Sequence, residues 1–193
     1  MSAIDRPDLI GLRRRAFRAV TDLGPRPPSA SRTVIIQPME IAHASNAGFV
    51  HGGSIMRLVD TAGGIAAMRH CGGPVVTASM DEMSFLAPVH IGDLVTVRAQ
   101  VNHTGRTSME VGVRVEVEIP GGESVHISSA YLVFVALDEE RRPVPVPPVV
   151  PETEDEWRRQ AQARIRREQR LLRKEALRRA GEPVVEPTDR RVP

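Results

Sequence analysis

The stretch from His51 to His70, HGGSIMRLVDTAGGIAAMRH, constrains this chain more than any other. Ile55, Met56, Leu58, Val59, Ile65 and Met68 set apolar side chains all round a helix over residues 53–69, with Ala62, Gly63, Gly64, Ala66 and Ala67 between them. That is the pattern of a helix enclosed by other structure. A glycine inside a helix costs about 1 kcal/mol against alanine, so Gly63 and Gly64 imply that another backbone or a ligand comes close along that face. One carboxylate, Asp60, stands in the middle of the helix. Burying it is costly unless it is paired or has a task, which leaves an i, i+3 ion pair with Arg57, worth about 0.2–0.5 kcal/mol, or an active site. His70-Cys71-Gly72-Gly73 stops the helix.

Around this helix the hydrophobic period changes to that of strands. TVIIQ (33–37) precedes it; VVTASMDEMSF, DLVTVRAQVNHT, SMEVGVRVEVEI and SVHISSAYLVFVAL follow, separated by turn-forming stretches. One strand before and four after predict an α+β layer arrangement, an antiparallel sheet wrapped round a central helix. The flanks read differently. Residues 1–32 hold a short helix over Pro7–Val20 and a linker, GPRPPSAS; residues 33–140 form the domain; residues 141–151, RRPVPVPPVVP, are a linker extended by its prolines and leaving the sheet. Thr153-Glu154-Asp155-Glu156 is a capping box that opens a charged, largely solvated helix within residues 152–180, and residues 181–193 form a disordered tail.

Composition removes several functions. The apolar runs are broken by Arg57, Asp60, Arg69 or prolines, so no segment reads as a membrane span. The N-terminus has no apolar core leading to a cleavage site, and the single cysteine, Cys71, forms no intrachain disulfide, which together predict a cytoplasmic protein. At 3% aromatic residues the chain lacks stacking platforms for nucleic acid. The six histidines show no ligand spacing with carboxylates, so no metal is expected. Residues 151–193 carry 12 Lys+Arg against 9 Asp+Glu, and the basic surface belongs mainly there.

The segments GFVHGG (48–53), DTAGG (60–64), RHCGGPVVTASMDEMSFLAPVHIGD (69–93) and GRTSMEV (105–111) resemble the hot-dog fold acyl-CoA thioesterases, most closely the cytosolic, brain-type acyl-CoA hydrolases in single-domain form. The tail PVPVPPVVPETEDE (143–156) is similar to the segment following the second domain of those tandem enzymes. The resemblance implies a helix inside a curved antiparallel sheet, a homodimer joining two sheets edge to edge, and a trimer of such dimers. It implies hydrolysis of an acyl-CoA thioester to CoA and a carboxylic acid with no cofactor. It places the family's helix aspartate at Asp60 and its loop asparagine at Asn46, although Ser45 stands at the family's usual offset.

Thioester hydrolysis needs an activated water, donors for the oxyanion and a grip on CoA. The helix N-terminus supplies free amides, with Gly52 and Gly53 allowing close approach, and the Gly53 amide is the leading donor. Asp60 is then general base or nucleophile, and Asn46 orients water or carbonyl. His51 orients the loop, caps the helix or contacts substrate. For CoA, Arg106, Thr107 and Ser108 offer a cation, hydroxyls and turn amides, and Val76 and Thr77 lie on a strand along which pantetheine runs; an ordinary hairpin turn is the alternative at 105–108. Gly53 and Asp60 share a helix face but stand about 10 Å apart along it, so one carbonyl hardly touches both within one chain. Each site is therefore expected to combine Asp60 of one subunit with Gly53 and Asn46 of another. A non-catalytic acyl-CoA sensor and a structural oligomerisation subunit are the competing functions.

Overall fold

The computed structural model describes residues 23–118 and 122–181; the helix expected over 7–20 and the tail from 182 lie outside the described residues. In chain order it contains β1 (Thr33–Pro38), α1 (Gly52–Cys71), β2 (Val75–Phe85), β3 (Leu94–Thr104), β4 (Ser108–Glu118), β5 (Ser124–Ala136) and α2 (Glu154–Arg179), with 3-10 turns at Pro28–Ser31 and Ile41–His43. The strands form one antiparallel sheet in the order β1-β3-β4-β5-β2. Packed on α1, this sheet is the α+β hot-dog arrangement.

Strand alternation builds the core. Val95, Val97, Ala99 and Val101 of β3 and Met109, Val111, Val113, Val115 and Val117 of β4 turn inward to meet Ile55, Val59, Ala62 and Ala66 of α1. The close approach implied by the paired glycines is that of a ring. A Cβ on Gly63 would stand 2.9 Å from the edge of Phe134, and one on Gly64 3.6 Å from it.

Two expectations are corrected. The helix α1 is not enclosed all round: Met56 and Met68 are 42% and 43% exposed and Asp60 is exposed too, because the sheet covers only one side of it. The two proline-rich stretches do not leave the domain. Pro143 and Pro145 lack an N–H, but Val144 and Val146 between them donate to the carbonyls of Ala136 and Arg106, each at 3.0 Å, and Arg26 pairs with Val149. In the first linker Ser31 is fully buried and accepts from the Val101 amide at 2.9 Å.

α2 is largely solvated, as expected, but it does not stand free of the domain. It lies on the outer face of the sheet, where its polar side chains find partners. Arg166 pairs with Glu110 at 2.6 Å and stacks 3.5 Å over the Tyr131 ring, Arg170 pairs with Asp81, and Arg32 reaches Glu156 at 3.1 Å. Glu110 is 4% exposed, and burial holds its carboxyl above the usual range against the pull of Arg166. The outer sheet face is polar, so a charged helix is what fits it.

Two stability measurements follow from the packing. Gly63→Ala should cost about 1–3 kcal/mol in urea unfolding because the methyl meets the Phe134 ring, whereas Gly64→Ala should be neutral or gain up to about 1 kcal/mol from helix propensity. His70 is fully buried; its Nε2 donates to the Pro147 carbonyl at 2.9 Å, while Nδ1 has no partner among the described residues. Burial holds its pKa below the ordinary value of 6.5. A histidine with a depressed folded pKa contributes stability that is whole above the unfolded pKa and lost as pH falls toward the folded one. The urea midpoint should therefore fall on moving from neutral pH through about pH 6.5 and below, and His70→Gln should flatten that dependence.

Candidate active site

α1 delivers two sets of groups, one at its N-terminus and one in its middle. At the N-terminus His51 is the cap: its Nδ1 accepts from the Gly53 amide at 2.9 Å. This bears on the leading oxyanion donor, because the Gly53 N–H is already engaged. The neighbouring Gly52 amide has no partner among the described residues. Beside it opens an apolar pocket of about 340 Å³ lined by Phe49, Val50, Gly52, Ile55, Phe85, Leu86 and Val89, among others. Phe85 lies close enough that a Cβ on Gly52 would touch its ring at 3.6 Å. The N-terminal end thus pairs a free backbone donor with an apolar wall.

In the middle of α1 Asp60 accepts a 2.6 Å hydrogen bond from the Thr77 hydroxyl on β2. The i, i+3 ion pair with Arg57 is not among the ion pairs of the described residues; Asp60 takes its hydrogen bond from Thr77. Thr77 was expected along the strand beside substrate, and its hydroxyl is committed to the carboxylate. One Asp60 oxygen is held, and the carboxylate stays open to solvent on the uncovered side of the helix. Both partners are regular-structure residues, so the pair is fixed by helix–sheet packing rather than by a loop.

The loop before α1 is a small closed hairpin. Ala44 bridges Val50, the Ser45 amide donates to the Phe49 carbonyl at 2.7 Å, and the Gly48 amide donates to the Ser45 carbonyl at 3.1 Å with Gly48 at φ 81°. Asn46 sits exposed at its tip without a side-chain hydrogen bond, whereas the Ser45 hydroxyl accepts from the Ala47 amide at 3.3 Å. Neither bonds to Asp60 within the chain.

The 105–108 turn is closed by the Gly105 amide donating to the Ser108 carbonyl at 2.7 Å. The register puts Ser108, Val135 and Val76 in one cross-strand row, so the turn lies about 10 Å across the sheet from Val76 at the strand spacing. The exposed Arg106 has no ion-pair partner among the described residues, and Arg167 of α2 comes within 4.0 Å of where a Gly105 Cβ would be. A second groove of about 410 Å³ lies on the outer sheet face under α2, lined by Arg32, Arg98, Asn102, Arg114 and Arg158, among others. Among the described residues no three His, Cys, Asp or Glu side chains stand together as metal ligands, and no helix is long and apolar enough to cross a membrane.

Comparison with known proteins adds to this geometry. Residues 47–122 match the family model described as the thioesterase superfamily. The cytosolic acyl coenzyme A thioester hydrolase of Rattus norvegicus is 37% identical over 138 residues, covering 70% of this chain and 36% of that protein. This chain thus spans about a third of the length of that relative. A solved apo-hexameric acyl-CoA thioesterase is 36% identical with a TM-score of 0.75, covering 78% of this chain and 97% of the other. An acyl-CoA hydrolase from Staphylococcus aureus, solved with butyryl coenzyme A, coenzyme A and coenzyme A disulfide, is 31% identical with a TM-score of 0.76 and covers 84% and 99%. Its asparagine, aspartate and threonine have each been replaced by alanine in further structures. The replaced asparagine stands fifteen residues before the aspartate. The threonine stands seventeen after it, the separation of Asp60 and Thr77 here.

The cap is testable without any assay of chemistry. His51→Ala should cost about 1 kcal/mol in urea unfolding through loss of the bond to the Gly53 amide, and His51→Asn should restore most of it.

Proposed function

Because the chain belongs to the thioesterase superfamily, sharing the hot-dog fold of its acyl-CoA hydrolases, we propose that it hydrolyses acyl-CoA thioesters to coenzyme A and a carboxylic acid. The observation that carries this is the Asp60–Thr77 pair, a carboxylate held at 2.6 Å by a hydroxyl on the open side of α1. The same residue types at the same spacing are those altered in the S. aureus hydrolase. Thr77 is a positioning residue: its O–H holds one carboxylate oxygen and leaves the other to take a proton from water or attack the thioester carbon. In the first route the activated water displaces the thiolate of CoA and gives the acid directly; in the second the thiolate leaves from an acyl–Asp60 anhydride, which water then hydrolyses to the acid and free carboxylate; in both a proton passes to the thiolate.

The oxyanion is assigned to the Gly52 amide, which is free, with the Gly53 amide joining only when His51 turns away. The acyl group lies in the pocket walled by Phe49 and Phe85. For CoA, Arg106, Thr107 and Ser108 take phosphate and Val76 flanks the pantetheine. The family asparagine falls by spacing on Ser45, and Asn46 is next to it on the same turn, so either supplies the polar group that orients water. No cofactor enters this scheme. The name of the mammalian relatives favours a cytosolic place of action.

The site is completed by a second subunit. β2 is an edge strand of 11 residues, and Val76, Phe85 and Leu86 along or just beyond it are 47%, 47% and 63% exposed. Pairing β2 with its copy closes this edge, covers the open side of α1 and brings Asp60 of one subunit toward the Gly52 end of the other. Three such dimers would match the hexamer of the solved relative.

In a thiol-release assay with acyl-CoAs of several chain lengths, Asp60→Asn should lower kcat by about 10²–10⁴, and Thr77→Val should lower kcat with little change in KM. Tight acyl-CoA binding with no turnover by the native chain would replace this reading with that of a sensor. Mixing inactive Asp60→Ala and Gly52→Pro homodimers under exchange conditions should restore activity; none despite proven exchange would place both half-sites in one chain.

A further inference from the structure

Most arginines of α2 have a carboxylate to pair with. Arg158 and Arg159 pair with Asp155, Arg166 with Glu110, Arg170 with Asp81, and Arg178 and Arg179 with Glu175. Arg167 has no ion-pair or hydrogen-bond partner among the described residues, and Arg164 donates only to the side-chain carbonyl of Gln160, at 3.1 Å. Glu168, four residues on from Arg164, takes part in no ion pair of the described residues. Both arginines lie beside the 105–108 turn. The Arg167 Nε is 4.0 Å from where a Cβ on Gly105 would stand. Close by, burial and then the charges of Arg164, Arg167 and Arg170 hold the His103 ring below its ordinary pKa. The arginines' share in that effect marks positive charge that the sheet does not neutralise, since Glu110 and Asp81 are already taken by Arg166 and Arg170.

The turn adds donors of the same kind. Besides the unpaired Arg106, the Arg106 and Thr107 amides and the Thr107 and Ser108 hydroxyls have no hydrogen-bond partner among the described residues. Met109 belongs to the core, so its neighbours Ser108 and Glu110 turn to the outer face of the sheet, where α2 lies. His103 stands opposite Glu110 in the ladder. Gly105 keeps the place open, for a Cβ there would come within 2.9 Å of the Ser108 hydroxyl as well as near Arg167.

We propose that Arg167 of α2, with Arg164 beside it, joins Arg106, Thr107 and Ser108 in a phosphate-binding site that holds the nucleotide end of coenzyme A. The inference rests on the acyl-CoA hydrolase reading and extends the substrate site to α2, which lies outside the segment 47–122 that the family model matches. Charge and donor type select the ligand. Coenzyme A carries a 3′-phosphate and a diphosphate, and guanidinium groups bind phosphate through paired N–H donors. Its pantetheine arm has a path from the turn, because Met109 next to it shares a cross-strand row with Phe134 and Thr77. A site of this kind distinguishes a CoA thioester from the same acyl group on bare pantetheine, which has no phosphate to offer.

That preference is the measurement. Arg167 is exposed and unpaired, so Arg167→Ala should keep its circular dichroism while the ratio of kcat/KM for acyl-CoA to kcat/KM for the matching acyl-pantetheine falls about tenfold. Arg179→Ala removes the same charge about 18 Å further along the helix and should leave the ratio at its native value. Calorimetric titration reads binding without turnover: the Kd for CoA should rise about tenfold in Arg167→Ala. An equal rise for 3′-dephospho-CoA assigns Arg167 to the diphosphate, and a rise for CoA alone assigns it to the 3′-phosphate. Ratio and Kd both unchanged in Arg167→Ala, or changed as much in Arg179→Ala, would overturn the inference and leave the hydrolase reading standing. Binding of CoA that depends on Arg167 without any turnover would overturn the hydrolase reading alone, and a native chain that neither binds nor hydrolyses would overturn both.

Discussion

The contact between Phe134 and the backbone of α1 at Gly63 sets the distance between helix and sheet, and the rest of the site depends on that distance. A side chain at Gly63 would strike the ring at 2.9 Å, so the helix can settle on β5 only where glycine stands. Phe134 also lies in the same cross-strand pair as Thr77. The residue that determines how low the helix sits is therefore the strand neighbour of the residue that reaches Asp60. A helix held away by one methyl would stretch the 2.6 Å bond between Asp60 and Thr77 beyond hydrogen-bonding range. Packing and chemistry are one constraint here, carried by a glycine and a phenylalanine that touch no substrate.

The two faces of the sheet follow opposite rules. The face toward α1 is aliphatic almost throughout, whereas the face toward α2 presents Gln100, Asn102, Glu110 and Tyr131. Asn102 is 3% exposed and its Oδ1 has no partner among the described residues, as is the case for Oε2 of Glu110. A face built this way cannot be closed by an apolar helix without stranding polar groups, and the arginines of α2 meet that requirement. Guanidinium groups suit the task because they stay charged when buried and donate in a planar fork, as Arg166 does to Glu110 through both Nε and Nη2. Those arginines point inward, while the exposed side of α2 mixes Trp157, Ile165 and Leu172 with charged residues such as Arg158, Glu168 and Lys174.

The central helix and the five strands were legible in the sequence because each rests on local periodicity, whereas Asp60 stood out only as the one carboxylate in that helix, its role implied by the family resemblance. A run of 20 helical residues and four long alternating strands need no tertiary knowledge. What escaped was whatever depends on the second partner in a contact. The apolar residues of α2 are sparse and its arginines many, which reads correctly as a largely solvated helix but says nothing of the Glu110 and Asp81 that two of those arginines reach. The proline-rich stretch reads as a departing linker, since proline lacks a donor; the valines at 144 and 146 keep theirs at alternate positions, and that alternation was the available signal. Thr77 on β2 also carried one, a hydroxyl amid strand residues opposite the helix carboxylate, but only the fold brings residues seventeen apart to 2.6 Å.

The most consequential difference between sequence and structure lies at the helix N-terminus. The sequence favours Gly53 as oxyanion donor because a helix N-terminus leaves its amides free and the paired glycines let a carbonyl approach. In the structure that amide is used to cap the helix, with His51 as acceptor, and an amide already bonded at 2.9 Å gives up that bond before it can serve an oxyanion. The Gly52 amide bears no such cost, and it borders the apolar pocket where an acyl group would lie. Both lie at the same end of α1, so the division of labour along the helix is unchanged: donors at the N-terminus, carboxylate about two turns on. Two turns are about 10 Å, longer than any span between a carbonyl oxygen and the water attacking its carbon. On the proposed function, a helix that carries both functions at that separation acts on one substrate only with a second subunit, and the uncovered side of α1, with Met56, Asp60 and Met68 exposed, is where that subunit would enter.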